Sequence, residues 1–218
     1  MRVGILGSGL MGGKLGTIFA RAGHEVVFSY ARSQVKLARL AEQAGNGARA
    51  GGPEEAARDA DALVLAVHWS RVNDVLRQTG TLSGRVVVSC SLPMNARDTQ
   101  LVAGHRTSGA ERLARKIPRA KVVGAFNTAP SEVLFAVHEA RRRVRRPGLI
   151  YYGDDAHAKR VARTLIQDVG FDPVDAGPLR MARYAEPFAL LLAELAYEGR
   201  GGPGLAYHFE RLKVKRRV

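Results

Sequence analysis

Near its N-terminus the chain runs from a short apolar segment straight into a glycine-rich turn, and this junction constrains the fold more than any other feature. The segment MRVGIL at 1–6 is followed by GSGLMG at 7–12, and then by a helical pattern that stops near Gly23. A second apolar run, EVVFSY, occupies 25–30. A strand that enters a helix through a glycine turn and leads to another strand predicts a parallel βαβ unit.

The same alternation of strand and helix patterns continues along the chain. Further β-branched and apolar runs are ALVLAVH, RVVVSC, AKVVGAFN, LIYYGD and FDPVDAG, with helical patterns between them. Continuous apolar runs of this kind predict buried parallel strands, and the alternation predicts an α/β sheet covered by helices on both faces. We therefore expect a Rossmann-type, doubly wound, mostly parallel sheet over residues 1–128. A smaller, mainly helical C-terminal portion over 129–218 extends this sheet.

Three local features complete the predicted organisation. We expect the Gly/Pro-containing stretch 48–56 to be a loop, Ser70 to be the N-cap of a helix, and 130–146 to form one helix. The most apolar helical pattern, ARYAEPFALLLAELAYEG, suits either an internal core or an interface between two copies of the chain.

The glycine-rich turn matches the GxGxxG pattern of dinucleotide-binding loops and lies where that motif belongs, between a strand and a helix. Gly7 permits the tight turn, Gly9 lets the backbone approach a pyrophosphate, and Gly12 allows the helix to pack on the strand. The helix N-terminus then offers free N–H groups to the phosphates. The turn therefore predicts a dinucleotide site formed by Gly7, Ser8, Gly9, Leu10, Met11 and Gly12.

The end of the second strand indicates which dinucleotide is bound. An NAD-specific site usually has an acidic residue there for the ribose 2′-hydroxyl, whereas this chain has SYARSQVK at 29–36. Arg32 and Lys36 would attract a 2′-phosphate, and Tyr30 and Ser33 could add hydroxyl donors. We therefore expect NADP(H) as the cofactor.

Composition and charge narrow the classes of protein to which the chain could belong. The formal net charge is +14, much of it in RRRVRR at 141–146 and KVKRR at 213–217, but no nucleic-acid-binding motif accompanies it. A solvated basic face is the simpler interpretation, and a basic nucleic-acid-associated protein is the minor alternative. No apolar stretch reaches the roughly 18–20 residues of a membrane span, and the single cysteine, Cys90, excludes an internal disulfide framework. We expect a cytoplasmic protein without membrane or metal sites.

Beyond the glycine turn, the segments LAVHW, HRTSGAERL, KVVGAFNT and GFDPVDAGPL resemble the NADP oxidoreductases that depend on the deazaflavin coenzyme F420. The resemblance extends over nearly the whole chain, and the pairing of AFNT with DPVDAGPL is its most specific part. It implies hydride transfer between the nicotinamide and the deazaflavin ring, and usually a homodimer.

The resemblance also implies site residues beyond the glycine turn. Four residues after the fourth strand would lie along the cofactor: Ala66, Val67, His68 and Trp69. Three residues after the fifth strand would lie beside the nicotinamide: Cys90, Ser91 and Leu92. Three residues of the AFNT segment would face the second substrate: Phe126, Asn127 and Thr128.

The chain departs from the family pattern on the second-substrate side. Similar proteins often have Pro where this chain has His68, Asn-Pro near Leu92-Pro93, and Lys where this chain has Gly124. These departures keep open an NADPH-dependent reductase of another small acceptor, such as a flavin, quinone, imine or carbonyl compound. A non-catalytic NADPH-binding sensor is a further alternative. Ring-to-ring hydride transfer requires no acid or base, so no catalytic side chain is assigned, although His68 could donate a proton.

Overall fold

The computed structural model of the chain describes residues 1–31 and 33–212, so Arg32 and the basic stretch 213–217 lie outside the described residues. Within this part of the chain, no helix is long and apolar enough to cross a membrane.

The strands are short and mostly buried, as their continuous apolar runs predict. Their bounds are β1 Arg2–Leu6, β2 Glu25–Ser29, β3 Arg49–Ala50, β4 Ala62–Leu65, β5 Val86–Ser89, β6 Lys121–Gly124, β7 Gly148–Gly153 and β8 Asp172–Asp175. They form one 8-stranded sheet in the order β3-β2-β1-β4-β5-β6-β7-β8. Neighbouring strands are parallel except for the antiparallel pair β6–β7. The predicted doubly wound, mostly parallel sheet is therefore confirmed.

Helices cover both faces of the sheet. Their bounds are α1 Leu10–Arg21, α2 Gln34–Ala44, α3 Pro53–Ala57, α4 Val72–Gln78, α5 Gly109–Lys116, α6 Leu134–Glu139, α7 Ala156–Val169 and α8 Ala182–Tyr197. Residues of α1, α2, α6 and α7 enter one hydrophobic core. Residues of α3, α4, α5 and α8 enter the other. Each face of the sheet therefore has its own core, and the apolar stripe of each helix packs against one of them.

Three local predictions were wrong. The expected loop 48–56 contains the two-residue strand β3 and the start of α3, with Pro53 at the first helical position. Ser70 is not an N-cap, because the imidazole of His68 accepts the Ser70 N–H instead. The helix expected over 130–146 ends at Glu139.

The early end of α6 has a physical reason. Beyond Glu139 the residues at 141–146 offer no apolar side chain that reaches a core, and Val144 is fully exposed. The arginine-rich block therefore forms a surface loop between α6 and β7.

The sheet continues past residue 128, since β7 and β8 extend it and α7 packs against it. The chain then folds back after α8, where the Gly148 N–H donates to the Tyr207 carbonyl oxygen at 2.8 Å. The helical α8 and the segment after it complete the C-terminal portion. The division of the chain at residue 128 remains a prediction.

Candidate functional site

A cleft opens at the carboxyl ends of the parallel strands, where ligands of α/β proteins bind. It consists of two cavities of about 760 and 330 Å³ that share the wall formed by Ala66, Val67 and His68. The larger cavity lies at the glycine turn and the end of β2. The smaller one lies at the ends of β4, β5 and β6 and is closed by α8. One continuous groove thus links the predicted phosphate site with the predicted second-substrate side.

The glycine turn has the geometry that a dinucleotide loop requires. Gly7 has φ +110°, and a β-carbon there would lie 2.5 Å from the Ala66 carbonyl oxygen. A β-carbon on Gly12 would collide with the Gly7 carbonyl oxygen, because α1 packs closely on the turn. Gly9 has no atom within 4 Å of its β-position. The protein's own packing therefore requires Gly7 and Gly12, whereas Gly9 borders open space.

At the end of β2, Tyr30, Ser33 and Lys36 line the larger cavity. The Ser33 hydroxyl accepts the Lys36 backbone N–H at 3.3 Å and caps α2. Lys36 itself is exposed at the larger cavity. The Tyr30 hydroxyl donates to Asp74 at 2.5 Å. Burial and this bond raise the pKa of Tyr30. The expectation that this hydroxyl donates to a cofactor is therefore corrected, since α4 already occupies it.

His68 lies where the two cavities meet. Its Nδ1 accepts the Ser70 backbone N–H at 3.2 Å, which leaves the proton on Nε2 to be donated to Asp98 at 2.9 Å. The His68 side chain is 32% exposed, so the ring is open to solvent and to the cleft. The imidazole of His68 therefore lies between Ser70 and Asp98 at the junction of the two cavities.

The residue after His68 is placed differently from the prediction. Trp69 packs against the core between the sheet and α3, α4, α5 and α8, and lines neither cavity. This position supports a packing role for Trp69, and its contact with the cofactor stays a prediction.

Cys90, Ser91 and Leu92 all line the smaller cavity. Burial raises the pKa of the Cys90 thiol, which therefore stays protonated and unreactive at neutral pH. The Ser91 hydroxyl donates to the Val67 carbonyl oxygen at 2.7 Å and fixes the two strand ends to each other. These residues form a rigid, largely neutral wall.

The AFNT segment contributes two of its three predicted residues to the cleft. Asn127 and Thr128 line the smaller cavity, whereas Phe126 is fully buried with φ +64° and packs against Phe19. The predicted contact between Phe126 and a second substrate is therefore wrong. The Asn127 Nδ2 donates to the Tyr152 hydroxyl at 2.8 Å, and within the described residues its buried Oδ1 has no hydrogen-bond partner.

Several cleft residues had no signal in the sequence. Arg71 and Gln78 of the β4–α4 region and Gly51-Gly52-Pro53 line the larger cavity. Ala189, Leu192 and Ala193 of α8 form an apolar side of the smaller one. No spacing rule connects these residues with the glycine turn, so only the fold brings them there. Among the residues that the structure describes, no group of three or more His, Cys, Asp or Glu side chains could hold a metal ion.

Residues 2–93 match the family described as NADP oxidoreductase coenzyme F420-dependent. Metalloreductase STEAP3 of Rattus norvegicus is 31% identical over 191 residues, which are 88% of this chain and 37% of that protein. The chain thus spans little more than a third of the length of this relative.

Among solved structures, a candidate F420-dependent NADP-reductase from Arthrobacter sp. FB24 has a TM-score of 0.83 at 24% identity, covering 97% of this chain and 100% of that one. Hypothetical protein SMa0349 from Sinorhizobium meliloti has a TM-score of 0.75 at 25% identity, over 96% of each chain. A reductive aminase from Aspergillus terreus in complex with NADPH has a TM-score of 0.65 at 19% identity, over 88% of this chain and 60% of that one. These similarities confirm the fold, and the match over 2–93 confirms the family resemblance.

Proposed function

Since residues 2–93 match the family of coenzyme F420-dependent NADP oxidoreductases, we propose that this chain binds NADP(H) and transfers hydride between it and a deazaflavin coenzyme of the F420 type. The observation that carries the proposal is the continuous cleft, in which a glycine turn with open space at Gly9 leads into a cavity walled mainly by apolar side chains. NADPH, when bound, supplies the hydride.

The residues present fit this cofactor. The N-terminus of α1 would hold the pyrophosphate, because no side chain caps it and Gly9 leaves room for the phosphates. Lys36, with Arg32, would hold the 2′-phosphate. Ala66 and Val67 would form the wall beside the dinucleotide.

The smaller cavity would place the second ring and exclude water. Its walls combine Leu92, Met94 and Leu192 with the buried thiol of Cys90. Apposition of two planar rings needs such a shaped, dry pocket more than it needs an acid or base. The position of Asn127 and Thr128 at the same cavity allows polar recognition of the second ring.

A second reaction is favoured by one specific observation, the position of His68 at the junction of the cavities, with its Nε2 bonded to the exposed side chain of Asp98. A proton donor at this point suits reduction of an imine or carbonyl compound, in which the substrate takes up a proton as well as a hydride. The alternative function is therefore an NADPH-dependent reductase of such an acceptor.

The decisive experiment is a spectrophotometric assay of the purified chain with oxidised coenzyme F420 and either NADPH or NADH. We expect rapid loss of the visible deazaflavin band with NADPH and little loss with NADH. A preparation that binds NADPH but leaves the band unchanged contradicts the deazaflavin assignment. Imines, carbonyls and flavins would then be assayed with the wild type and with His68→Ala.

We also propose a homodimer, which the exposed side of α8 supports. Tyr184, Leu191 and Leu195 are 63%, 54% and 53% exposed, although they belong to one helix. A second copy would cover this apolar strip. Sedimentation equilibrium of the purified chain tests the proposal, and a monomer at micromolar concentration contradicts it.

A further inference from the structure

One cationic side chain outside the motifs discussed so far faces the phosphate-binding part of the cleft. Arg71 closes a single turn of 3-10 helix, Trp69–Arg71, which follows β4. It lines the larger cavity together with Lys36. Because β2 and β4 flank β1 on opposite sides, these two cations reach the cavity from opposite sides of the glycine turn.

A hydrogen bond holds this turn close to the end of β2. The Tyr30 hydroxyl donates to Asp74 at 2.5 Å and so joins the first turn of α4 to the end of β2. Arg71 precedes Asp74 by three residues and lies within electrostatic range of both groups. Burial and the Asp74 bond raise the pKa of Tyr30, and the positive charge of Arg71 acts in the opposite direction. The end of β2 is where dinucleotide-binding folds bind the ribose 2′-position.

Among the described residues, Arg71 forms no ion pair with an acid. Asp74 is already bonded to Tyr30 and to Arg77, the latter at 2.9 Å. Across residues 1–31 and 33–212, no carboxylate oxygen lies within 4.0 Å of the Arg71 guanidinium. An exposed guanidinium without an acidic partner, beside a lysine and a cavity, is suited to binding a phosphate group.

We propose that Arg71 binds the 2′-phosphate of NADP(H) from the β4 side of the cleft and contributes to the choice of NADP(H) over NAD(H). This inference rests on the proposed function, because it requires NADP(H) in the larger cavity. It adds a specificity-determining residue that the second-strand motif does not contain, with Lys36 on the other side of the phosphate.

The test compares Arg71→Gln with Arg160→Gln, a matched variant. Arg160 is exposed on α7, lines neither cavity and has no carboxylate within 4.0 Å among the described residues. Binding of NADPH, NADH and 2′,5′-ADP is measured by calorimetric titration at low and physiological salt. We expect Arg71→Gln to bind NADPH and 2′,5′-ADP about tenfold more weakly, with a smaller salt dependence. Its affinity for NADH should equal that of the wild type, and Arg160→Gln should be unchanged for all three ligands.

Two results would overturn the inference. Equal losses for NADPH and NADH would mean that Arg71 binds the pyrophosphate or supports the fold, and unchanged affinities would mean that it binds no phosphate. Arg32→Gln serves as the positive control for loss of the 2′-phosphate. A wild type that binds none of the three ligands would defeat the proposed function as well. A wild type that prefers NADPH, with no effect of Arg71→Gln, would defeat only the role of Arg71.

Discussion

At the scale of single residues, we expect two glycines of the turn to have different roles: folding requires Gly12, and cofactor binding requires Gly9. Gly9→Ala meets no protein atom and lies in extended backbone, so we expect it to change the free energy of unfolding by less than about 0.5 kcal/mol. It should weaken NADPH binding at least about tenfold, because the methyl group occupies the space left for the pyrophosphate.

Gly12→Ala is the matched comparison. Its methyl group would collide with the Gly7 carbonyl oxygen, and we expect a loss of about 2–3 kcal/mol of unfolding free energy. Urea unfolding and NADPH titration of both variants measure the two effects. A Gly9→Ala protein that binds NADPH as well as the wild type would exclude the pyrophosphate from the turn.

Glu186 should make stability depend on pH. This carboxyl is 2% exposed and accepts the N–H groups of Gly109 and Ala110 at 2.8 and 2.9 Å, and burial raises its pKa from 4.5 to about 7. The folded chain therefore keeps this proton to a higher pH than the unfolded chain does. Its contribution to stability is complete below pH 4.5 and is lost as the pH rises through 7.

We accordingly expect the wild type to lose up to about 3 kcal/mol of unfolding free energy from this group between pH 4.5 and 8. Glu186→Gln should remove that part of the pH dependence, whereas Glu198→Gln, at an exposed carboxyl after α8, should keep it. Urea unfolding at several pH values measures all three proteins. Parallel curves for wild type and Glu186→Gln would exclude this titration.

The sequence predicted the residues whose role depends on the backbone and missed those whose role depends on side-chain direction. Gly7 and Gly12 follow from a turn that any strand–helix junction of this type needs. Trp69 and Phe126 lie just beyond strand ends, where the alternation of faces no longer holds, so the local pattern does not tell whether a side chain enters the core or the cleft. Tyr30 was misjudged because its partner, Asp74, is 44 residues away.

At the scale of elements, the antiparallel pair β6–β7 explains why residue 124 is a glycine. Gly124 lies opposite Tyr152 in this pair, and a β-carbon on the glycine would collide with the tyrosine ring. The space beside Gly124 is therefore filled here by the ring from β7. That ring carries the hydroxyl that binds Asn127 at the cleft.

This packing predicts a non-additive pair of substitutions. Gly124→Ala should lower the free energy of unfolding by about 2–3 kcal/mol, because the tyrosine ring cannot move within the core. In a Tyr152→Ala background the same substitution should cost less than about 1 kcal/mol. Urea unfolding of the two single variants and the double variant measures the coupling. Additive effects would show that the Tyr152 ring is not what excludes a side chain at position 124.

Elements with strong local signals were predicted and those set by long-range context were not. Continuous apolar runs located β1, β2, β4 and β5. The strand β3 has two residues, one of them Arg49, so it lacks an apolar run. The antiparallel direction of β7 depends on the path of the segment between β6 and β7, and the residues of β7 alone do not determine that path.

At the scale of the whole molecule, the direction of β7 decides at which edge of the sheet the arginine loop lies. Since Tyr152 pairs with Gly124, β7 begins beyond the carboxyl end of β6. The arginine loop at 141–146 therefore lies on the same edge of the sheet as the cleft. A phosphate- and carboxylate-bearing tail of a deazaflavin coenzyme would be attracted to this rim.

We expect the double substitution of the exposed Arg142 and Arg143 by Ser to raise the KM for coenzyme F420 roughly threefold to tenfold at low salt. The KM for a deazaflavin without the charged tail should stay the same, and Arg160→Ser should affect neither substrate. Steady-state kinetics at several salt concentrations measure this. An unchanged KM with an unchanged salt dependence would mean that the loop is simply exposed to solvent and does not attract the coenzyme.

The central position of β1 also governs how the chain reaches its native state. β1 is synthesised before β2 and β4 but lies between them in the sheet, and Val3 pairs with Ala62, far along the chain. The middle of the sheet thus cannot form until β4 has been synthesised, and until then one side of β1 stays unpaired. Non-local parallel pairing of this kind slows folding and leaves early intermediates prone to aggregation. The strand that leads into the glycine turn therefore completes its pairing only after β4 has been synthesised.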